Sequence, residues 1–225
     1  MPKKYGVKEK DLVVSHVVNL ILTGKLRSGD RMDRNEIAQE LGLSRVPIQE
    51  AVVQLEHDGI LSTQYHRGAY VEPFDESVVR EHHEIYGMLS GIASARAAAA
   101  QNPEHLRQLD SLLKTMRANV DSRAFQEPAF QFRVLINEAY SGPRLLAAIE
   151  GSQAFLPRAF WPAYQADHPS LLRSLEADFD AIRRGDGEAA RAANAERAAV
   201  MARIMLTELV RRGVLRPSGA PTDGF

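Results

Sequence analysis

The sequence contains no cysteine, and this absence excludes disulfide bonds and thiolate metal sites. It also lacks an uninterrupted apolar run of about 18 residues, so we expect no membrane span and no membrane partner. The basic start, MPKKYGVKEKD, is not followed by the apolar core of a signal peptide, which makes the cytoplasm the expected location. Motifs such as G-x-S-x-G, a phosphate-binding loop or H-E-x-x-H are missing, and we expect no enzyme activity.

The sequence also has no marked excess of positive or negative charge. The net charge is −1 over 225 residues, and residues 1–74 carry basic and acidic side chains in equal number. Bulk charge therefore does not indicate a nucleic-acid partner, and any such role requires basic groups at particular positions. The proportions of 44% hydrophobic and 25% charged residues are typical of a globular protein that buries a core.

Patterns typical of β-strands are missing after residue 75. From there on, helical periodicity and the punctuation by Gly and Pro predict helices over residues 76–100, 103–120, 127–141, 143–160, 169–184 and 187–212. We therefore predict a mostly α protein with three parts. These are a winged helix-turn-helix with a small β-hairpin over 1–74, an antiparallel all-helical bundle over 75–213, and a disordered tail over 214–225.

Two helices are predicted before residue 43. An apolar stripe indicates the first over residues 9–23, and its members are Leu12, Val13, His16, Val17, Leu20 and Ile21. The second begins after Asp33, a good N-cap residue, and ends at Gly42. Met32 and Ile37 have the spacing of a hydrophobic staple, which fixes the direction in which the chain enters the helix.

The third helix is predicted from the N-cap Ser44 to Asp58-Gly59, and its two faces differ. The apolar stripe consists of Ile48, Ala51, Val52 and Leu55. Arg45 and Gln49 lie one turn apart on the other face, where arginine can contact guanine and glutamine can contact adenine. Two short helices joined by a tight turn, with polar groups on the second, are typical of a helix-turn-helix.

Two β-prone runs, ILSTQY and AYVE, predict a hairpin that would act as a wing. Gly68 permits the tight reversal, and His66 and Arg67 at the tip can reach the adjacent minor groove or backbone. Arg34, at the front of the second helix, and Ser44, at the start of the third, are placed to bind phosphates. The alternative for each of these side chains is an ordinary solvated surface position.

The stretch GDRMDRNEIAQELGLSRVPIQEAVVQLEHDGIL, with RGAYV downstream, resembles the winged-helix domain of GntR-type transcription regulators. The resemblance covers about residues 9–73. It implies that Arg45, Gln49 and the wing-tip residues His66, Arg67 and Gly68 contact double-stranded operator DNA, as parts of a homodimer. The family usually has arginine at the position of Gln49, so a glutamine there implies a base preference shifted towards adenine.

The helical part resembles the FCD-type effector domain of the FadR-like branch, at GPRLL and DAIRRGDGEAARAA. Many such domains hold a divalent metal with one aspartate and three histidines, the aspartate and first histidine four residues apart. The corresponding positions here are Glu127, Gln131, Leu175 and Arg197. Transition metals prefer imidazole or thiolate donors, and a guanidinium repels a cation. We therefore predict that the metal site is absent and that no cofactor is bound.

The same region predicts an effector pocket, which we expect to be lined by Tyr86, Glu127, Gln131, Leu175 and Arg197. An arginine that points inwards needs an anionic partner, because a buried unpaired charge is costly. The partner can be internal, from Glu127 or Asp178, or it can be the carboxylate of a small organic acid or acyl-type effector. The remaining histidines, His82, His83, His105 and His168, are expected at the surface or at helix ends.

These patterns together predict a DNA-binding transcription regulator whose operator affinity is controlled by a small, carboxylate-bearing effector in the helical domain. The alternative is a DNA-binding dimer without an effector, in which the degenerate pocket is filled core.

Overall fold

The computed structural model describes residues 8–65, 67–154 and 167–216. The chain forms two compact units, one up to Glu76 and again from Leu209 onwards, the other from Ser77 to Glu208. Residues 209–213, which we assigned to the helical domain, therefore belong to the first unit. The chain returns there to the first helix, where Val214 lies 3.7 Å from the position of a Cβ on Gly24. The predicted disordered tail falls, from residue 217 on, outside the described residues.

The first unit is a three-helix cluster with a β-hairpin. Its elements are α1 (Glu9–Leu22), α2 (Arg34–Leu41), α3 (Arg45–His57), β1 (Leu61–Gln64) and β2 (Gly68–Val71). The two strands are antiparallel, with Leu61 opposite Val71 and Gln64 opposite Gly68. α3 packs against both α1 and α2, and the predicted stripe from Ile48 to Leu55 is buried there. The helix-turn-helix with a wing is thus confirmed.

Helix α1 buries three members of the predicted stripe, Val13, Val17 and Ile21, but its buried face is rotated from the one we predicted. Its buried residues are Val13, Val14, Val17, Val18, Ile21 and Leu22, whereas Leu12 is 46% exposed. Apolar residues flank both sides of the stripe in this helix, so periodicity alone does not determine which face of the helix is buried. Packing against α3 selects the valine-rich face.

The start of α2 follows the predicted capping pattern. The Asp33 carboxylate accepts hydrogen bonds from the backbone N–H groups of Asn35 (2.8 Å) and Glu36 (3.1 Å), and these bonds lower the pKa of Asp33. Met32 and Ile37 are both buried, as a hydrophobic staple requires. The helix ends at Gly42, whose positive φ of 64° suits glycine.

The second unit is all-helical over its described residues. Its elements are α4 (Glu76–Ala100), α5 (Pro103–Ala118), a 3-10 turn (Arg123–Phe125), α6 (Gln126–Tyr140), α7 (Pro143–Ala154), α8 (His168–Arg183) and α9 (Gly187–Arg211). The predicted helix over 143–160 is described as far as residue 154, and its remainder lies outside the described residues. None of the described helices combines the length and apolar character needed to span a bilayer.

Small residues bring α4 and α9 together as an antiparallel pair. A Cβ on Gly87 would lie 2.6 Å from that of Ala198, and a Cβ on Gly91 would lie 3.3 Å from the backbone of Arg191. The alanine-rich sequence of α4 therefore permits close approach of α9 in addition to favouring a helix. This close pair brings Arg197 on α9 near Tyr86 on α4, with the guanidinium 5.2 Å from the ring centre.

Candidate functional site

A groove of about 560 Å³ runs between α2, α3 and the wing of the first unit. Three arginines line it, together with the exposed amide of Gln49; the lining residues are Arg31, Met32, Asp33, Arg34, Asn35, Arg45, Ile48, Gln49 and Gly68. The structure thus brings four of the seven predicted contact residues into one groove. Arg67 is exposed on the wing, and His66 lies outside the described residues.

The N-terminus of α3 presents polar groups to solvent. Ser44 occupies the N-cap position, but its side chain makes no capping hydrogen bond. The predicted N-cap position of Ser44 is therefore confirmed. The hydroxyl and the first-turn N–H groups together suit an anion. Arg45 and Gln49 are exposed one turn apart, on the face opposite the buried stripe.

Arg34 orients the side chain of Gln49. Its Nη1 donates a hydrogen bond to Gln49 Oε1 over 2.9 Å. Because a guanidinium only donates, the amide oxygen of Gln49 must face Arg34, and the amide NH₂ is left to face the groove. The amide oxygen has a second lone pair, so it can accept from adenine N6 while the NH₂ donates to N7, and the Arg34 bond holds the amide in the orientation that this bidentate contact needs.

Arg31 also lines the groove, although sequence patterns do not indicate it. This residue pairs with Tyr70 in an isolated antiparallel bridge, which places its side chain against the wing. A Cβ on Gly68 would lie 2.8 Å from Arg31 Nε, so glycine, with a φ of 112°, leaves room for the guanidinium. Arg31 precedes α2 in an extended segment, where no periodicity marks a functional side chain, and only the tertiary pairing reveals its place.

The helical unit contains a cavity of about 160 Å³ with mostly apolar walls. Its lining residues are His82, Tyr86, Phe125, Gln126, Ala129, Phe130, Arg133, Gln153, His168, Leu171, Leu175, Arg197 and Met201. Three of the five predicted pocket residues, Tyr86, Leu175 and Arg197, are among them.

The prediction is wrong for the other two pocket residues. Glu127 and Gln131 are exposed on the outer side of α6, where the Gln131 amide donates to the Glu127 carboxylate over 2.8 Å. The cavity-facing pair with the same four-residue spacing is Ala129 and Arg133. The α6 sequence EPAFQFRVLI has apolar residues on several faces, so its pattern did not determine which face points inwards.

Arg133 is the centre of a buried polar network. It is 5% exposed, and its Nη1 donates to Asp178 (2.7 Å) and to Ser94 (3.1 Å). Its Nη2 donates to Asn137 Oδ1 over 2.8 Å. Asp178, itself fully buried, also accepts from the Ser94 hydroxyl over 3.0 Å. Asp178, one of the two carboxylates that we considered as partners for Arg197, is therefore bound to Arg133 instead.

Arg197 has fewer acceptors. It is 4% exposed, its Nη2 donates to Asn194 Oδ1 over 3.0 Å, and its Nη1 contacts the Met201 sulfur at 3.5 Å. Its Nε has no hydrogen-bond partner among the described residues. Sulfur is a weak acceptor, so a single amide oxygen is the main partner of five N–H donors.

Two guanidinium groups make the electrostatic potential of the cavity positive. Burial by itself raises the pKa of Tyr86, but Arg197 and Arg133 outweigh this effect and lower it to about 8. The histidines are more buried than we predicted. Burial, with a smaller contribution from neighbouring His83, lowers the pKa of His82 to about 3.

His83 is buried within α4, so our expectation of a surface or helix-end position is wrong for it, whereas His168 is buried but begins α8, a helix-end position as predicted. Each is held by a backbone carbonyl, since His83 Nδ1 donates to Val79 over 2.7 Å and His168 Nδ1 donates to Val120 over 2.9 Å.

The cavity does not suit a divalent metal. Where a ligand set of this domain type would be expected, the inward positions hold Ala129, Arg133, Leu175 and Arg197. Alanine and leucine supply no donor atom, and the two guanidinium groups repel a cation. Among the described residues, no group of three or more His, Cys, Asp or Glu side chains is arranged to hold a metal ion.

Comparison with protein families decides the class of this protein. The model of the bacterial regulatory proteins of the gntR family matches residues 10–71, the helix-turn-helix and its wing. The FCD domain model matches residues 81–199, most of the helical unit. The chain belongs to the GntR family. It is a GntR-type transcription regulator with an FCD domain.

Relatives and solved structures agree with this assignment. An HTH-type transcriptional regulator of Mycobacterium tuberculosis is 56% identical over 233 residues, covering 100% of this chain and 96% of the relative. The galactonate operon transcriptional repressor of Escherichia coli is 25% identical over 208 residues, covering 82% and 91%. The structure of E. coli McbR/YncC has the same fold, with a TM-score of 0.55 and 21% identity, covering 92% of this chain and 98% of that one.

Proposed function

We propose that this GntR regulator binds a pseudo-palindromic operator as a homodimer, with Arg45 and Gln49 of each subunit reading bases in the major groove. The arginine-lined groove supports this proposal most directly. It combines an exposed helix N-terminus, which can bind phosphate, with two exposed polar side chains on the face that the stripe of α3 leaves open. Arg31, Arg34 and the wing residue Arg67 add phosphate contacts.

The outer face of α4 supports a dimer. Ile85 and Met88 lie one turn apart, and they are 42% and 56% exposed. A second copy of the chain would cover these apolar side chains, which favours the helical unit as the site of dimerisation. Two winged helices related by twofold symmetry would then contact two half-sites.

The cavity of the helical unit supports control by a small effector. Its walls are mostly apolar, whereas Arg197 offers an Nε–H group that has no acceptor among the described residues. This combination favours a carboxylate-bearing ligand. One E. coli relative is named as the repressor of the galactonate operon, and galactonate is a carboxylic acid. Binding would shift the dimer between geometries that fit the operator and geometries that do not.

A selection from random duplex DNA tests the proposal. Full-length protein is incubated with a pool of random double-stranded oligonucleotides, and the retained sequences are determined after several rounds. We expect an inverted repeat whose half-sites are about one helical turn apart, because each subunit presents one α3 helix. A selected motif without a repeat, or no enrichment at all, would contradict a dimer that reads an operator.

The bond between Arg34 and Gln49 predicts how one base position is read. With one lone pair of its oxygen bound by Arg34, Gln49 still offers the second lone pair to adenine N6 and its NH₂ to N7, so it should prefer adenine over guanine. We expect Arg34→Ala to let the amide rotate and to weaken the preference for adenine at that position. Comparison of the motifs selected by the parent, Arg34→Ala and Gln49→Ala proteins measures this effect.

The Gln49→Ala variant serves as the control in this comparison, because it should lose the preference at the same position. A preference that is unchanged in Arg34→Ala would show that the hydrogen bond does not determine readout.

A further inference from the structure

The buried polar centre of the helical unit has one carboxylate for two guanidinium groups. Arg133 is bound to Asp178, and Arg197 makes no ion pair with a described residue. Residues 155–166, the stretch between α7 and α8 outside the described residues, contain neither aspartate nor glutamate. The sequence of this stretch therefore offers no side-chain carboxylate for Arg197.

An uncompensated arginine at this depth destabilises the folded protein. Removing a guanidinium from water costs several kcal/mol unless an anion and additional hydrogen bonds compensate it. The amide of Asn194, the ring of Tyr86 and the charge of Asp178, which is paired with Arg133, compensate Arg197 only in part, and its Nε remains without an acceptor among the described residues. A monoanion that enters the cavity would supply the missing charge and accept these N–H groups.

The walls of the cavity restrict what carries this anion. Phe125, Phe130, Leu171, Leu175 and Met201 surround a volume of about 160 Å³. An apolar protein cavity of about 150 Å³ is known to accept benzene, so the space suits a single ring or a short branched chain. The hydroxyl groups of a sugar acid would lose their hydrogen bonds against such walls.

We propose that Arg197 binds the carboxylate of a monoanionic acid with a compact aromatic or aliphatic body, directly and without a metal ion. The inference rests on the proposed function in that this cavity is taken as the effector site. A single negative charge neutralises the excess of one guanidinium, whereas a second carboxylate on the ligand would be buried without a partner. The two guanidinium groups, and not a divalent cation, thus supply the positive charge that attracts the acid.

Thermal melting and calorimetry with chosen probes test the class of ligand. The probes are benzoate, phenylacetate and isovalerate (monoanions with a compact body), benzamide (the shape of benzoate without the charge), galactonate (the charge on a polyhydroxyl chain) and zinc chloride. We expect benzoate to raise the melting temperature of the full-length protein and to bind at least about tenfold more tightly than benzamide or galactonate, because a charged hydrogen bond would be lost with benzamide and hydroxyl groups would be stranded with galactonate. Zinc should neither raise the melting temperature nor be required for benzoate binding.

Variants of Arg197 separate ligand binding from a structural role. We expect Arg197→Gln to bind benzoate at least about tenfold more weakly, because the charged hydrogen bonds are lost. Without ligand, this variant should melt at the same temperature as the parent or higher, because the uncompensated charge is gone. Arg197→Lys should keep part of the benzoate response. Arg173→Gln, which removes an exposed arginine from α8, is the matched control and should bind benzoate like the parent.

Several results would overturn the inference. These are benzamide binding as tightly as benzoate, Arg197→Gln binding benzoate like the parent, a zinc requirement, or no response to benzoate, phenylacetate and isovalerate.

The DNA selection with the same preparation separates the two proposals. Enrichment of half-sites without any response to the acids would support the DNA-binding function and contradict the proposed class of ligand. Acid binding that does not alter DNA affinity would support Arg197 as the anion site and remove effector control.

Discussion

The Arg45→Ala variant is expected to lose most of its affinity for the selected operator. Arg45 is the first residue of α3, it is exposed in the groove, and no described side chain forms an ion pair or hydrogen bond with it. A bidentate contact between arginine and a base contributes about 1–3 kcal/mol of discrimination, so a dimer that loses two such contacts should bind at least about 30-fold more weakly. Gel-shift titration of the selected duplex measures this loss.

The control for this prediction is Arg107→Ala. Arg107 is an exposed arginine of the helical unit, and its removal changes the net charge by the same amount. This variant should bind the operator like the parent. Binding of Arg45→Ala to duplexes of unrelated sequence should also change much less than binding to the operator, because phosphate contacts from the other arginines remain. If Arg45→Ala binds the selected operator as tightly as the parent, α3 does not read the sequence.

The Asp178→Ala variant is expected to show the largest loss of stability. This substitution leaves two buried guanidinium groups without a carboxylate and removes the acceptor of the Ser94 hydroxyl. Breaking a buried ion pair from one side costs about 3–5 kcal/mol. Because domains of this kind have free energies of unfolding of about 5–15 kcal/mol, the helical unit should be severely destabilised. Guanidinium chloride unfolding of the full-length protein, followed by circular dichroism, measures the change.

Asp180→Ala is the matched control in the same helix. Asp180 is paired with Arg183 over 3.1 Å at the surface, and the loss of such a pair should cost less than about 1 kcal/mol. A second variant, Asp178→Ala combined with Arg133→Met, should recover part of the lost stability, since it removes one of the uncompensated charges. Equal losses for Asp178→Ala and Asp180→Ala would show that the buried network is not a main source of stability.

Local patterns were sufficient for most of the first unit. The cap at Asp33, the staple of Met32 and Ile37, and the stripe of α3 each depend on residues within about one or two turns of one another. Once that stripe is buried, the exposure of Arg45 and Gln49 follows from helical geometry. The same reasoning failed for α1, where apolar residues on adjacent faces left the rotation of the helix undetermined.

The cavity shows the limit of such patterns more clearly. The domain resemblance located Leu175 and Arg197 correctly, because the Gly-Asp turn before α9 gives a fixed point from which to count. On α6 the ligand pattern was matched within the helix itself, although GPRLL follows closely after it, and the inward pair lies two residues after the one we chose. Arg133 was missed because its partner Asp178 is 45 residues away in sequence, and a lone arginine in an apolar helix carries no signal of its own.

The amino-acid sequence by itself determined the kind of protein: helices with unambiguous apolar stripes, a helix-turn-helix, and a wing after the third helix. Only the tertiary structure decided which charges meet. It assigned Asp178 to Arg133 and left Arg197 with an amide, it placed Arg31 beside the wing, and it turned Gln49 towards Arg34. The physical reason is that a stripe is a local property of a few helical turns, whereas pairing of buried charges depends on how distant helices pack and on the cost of leaving a charge without a partner.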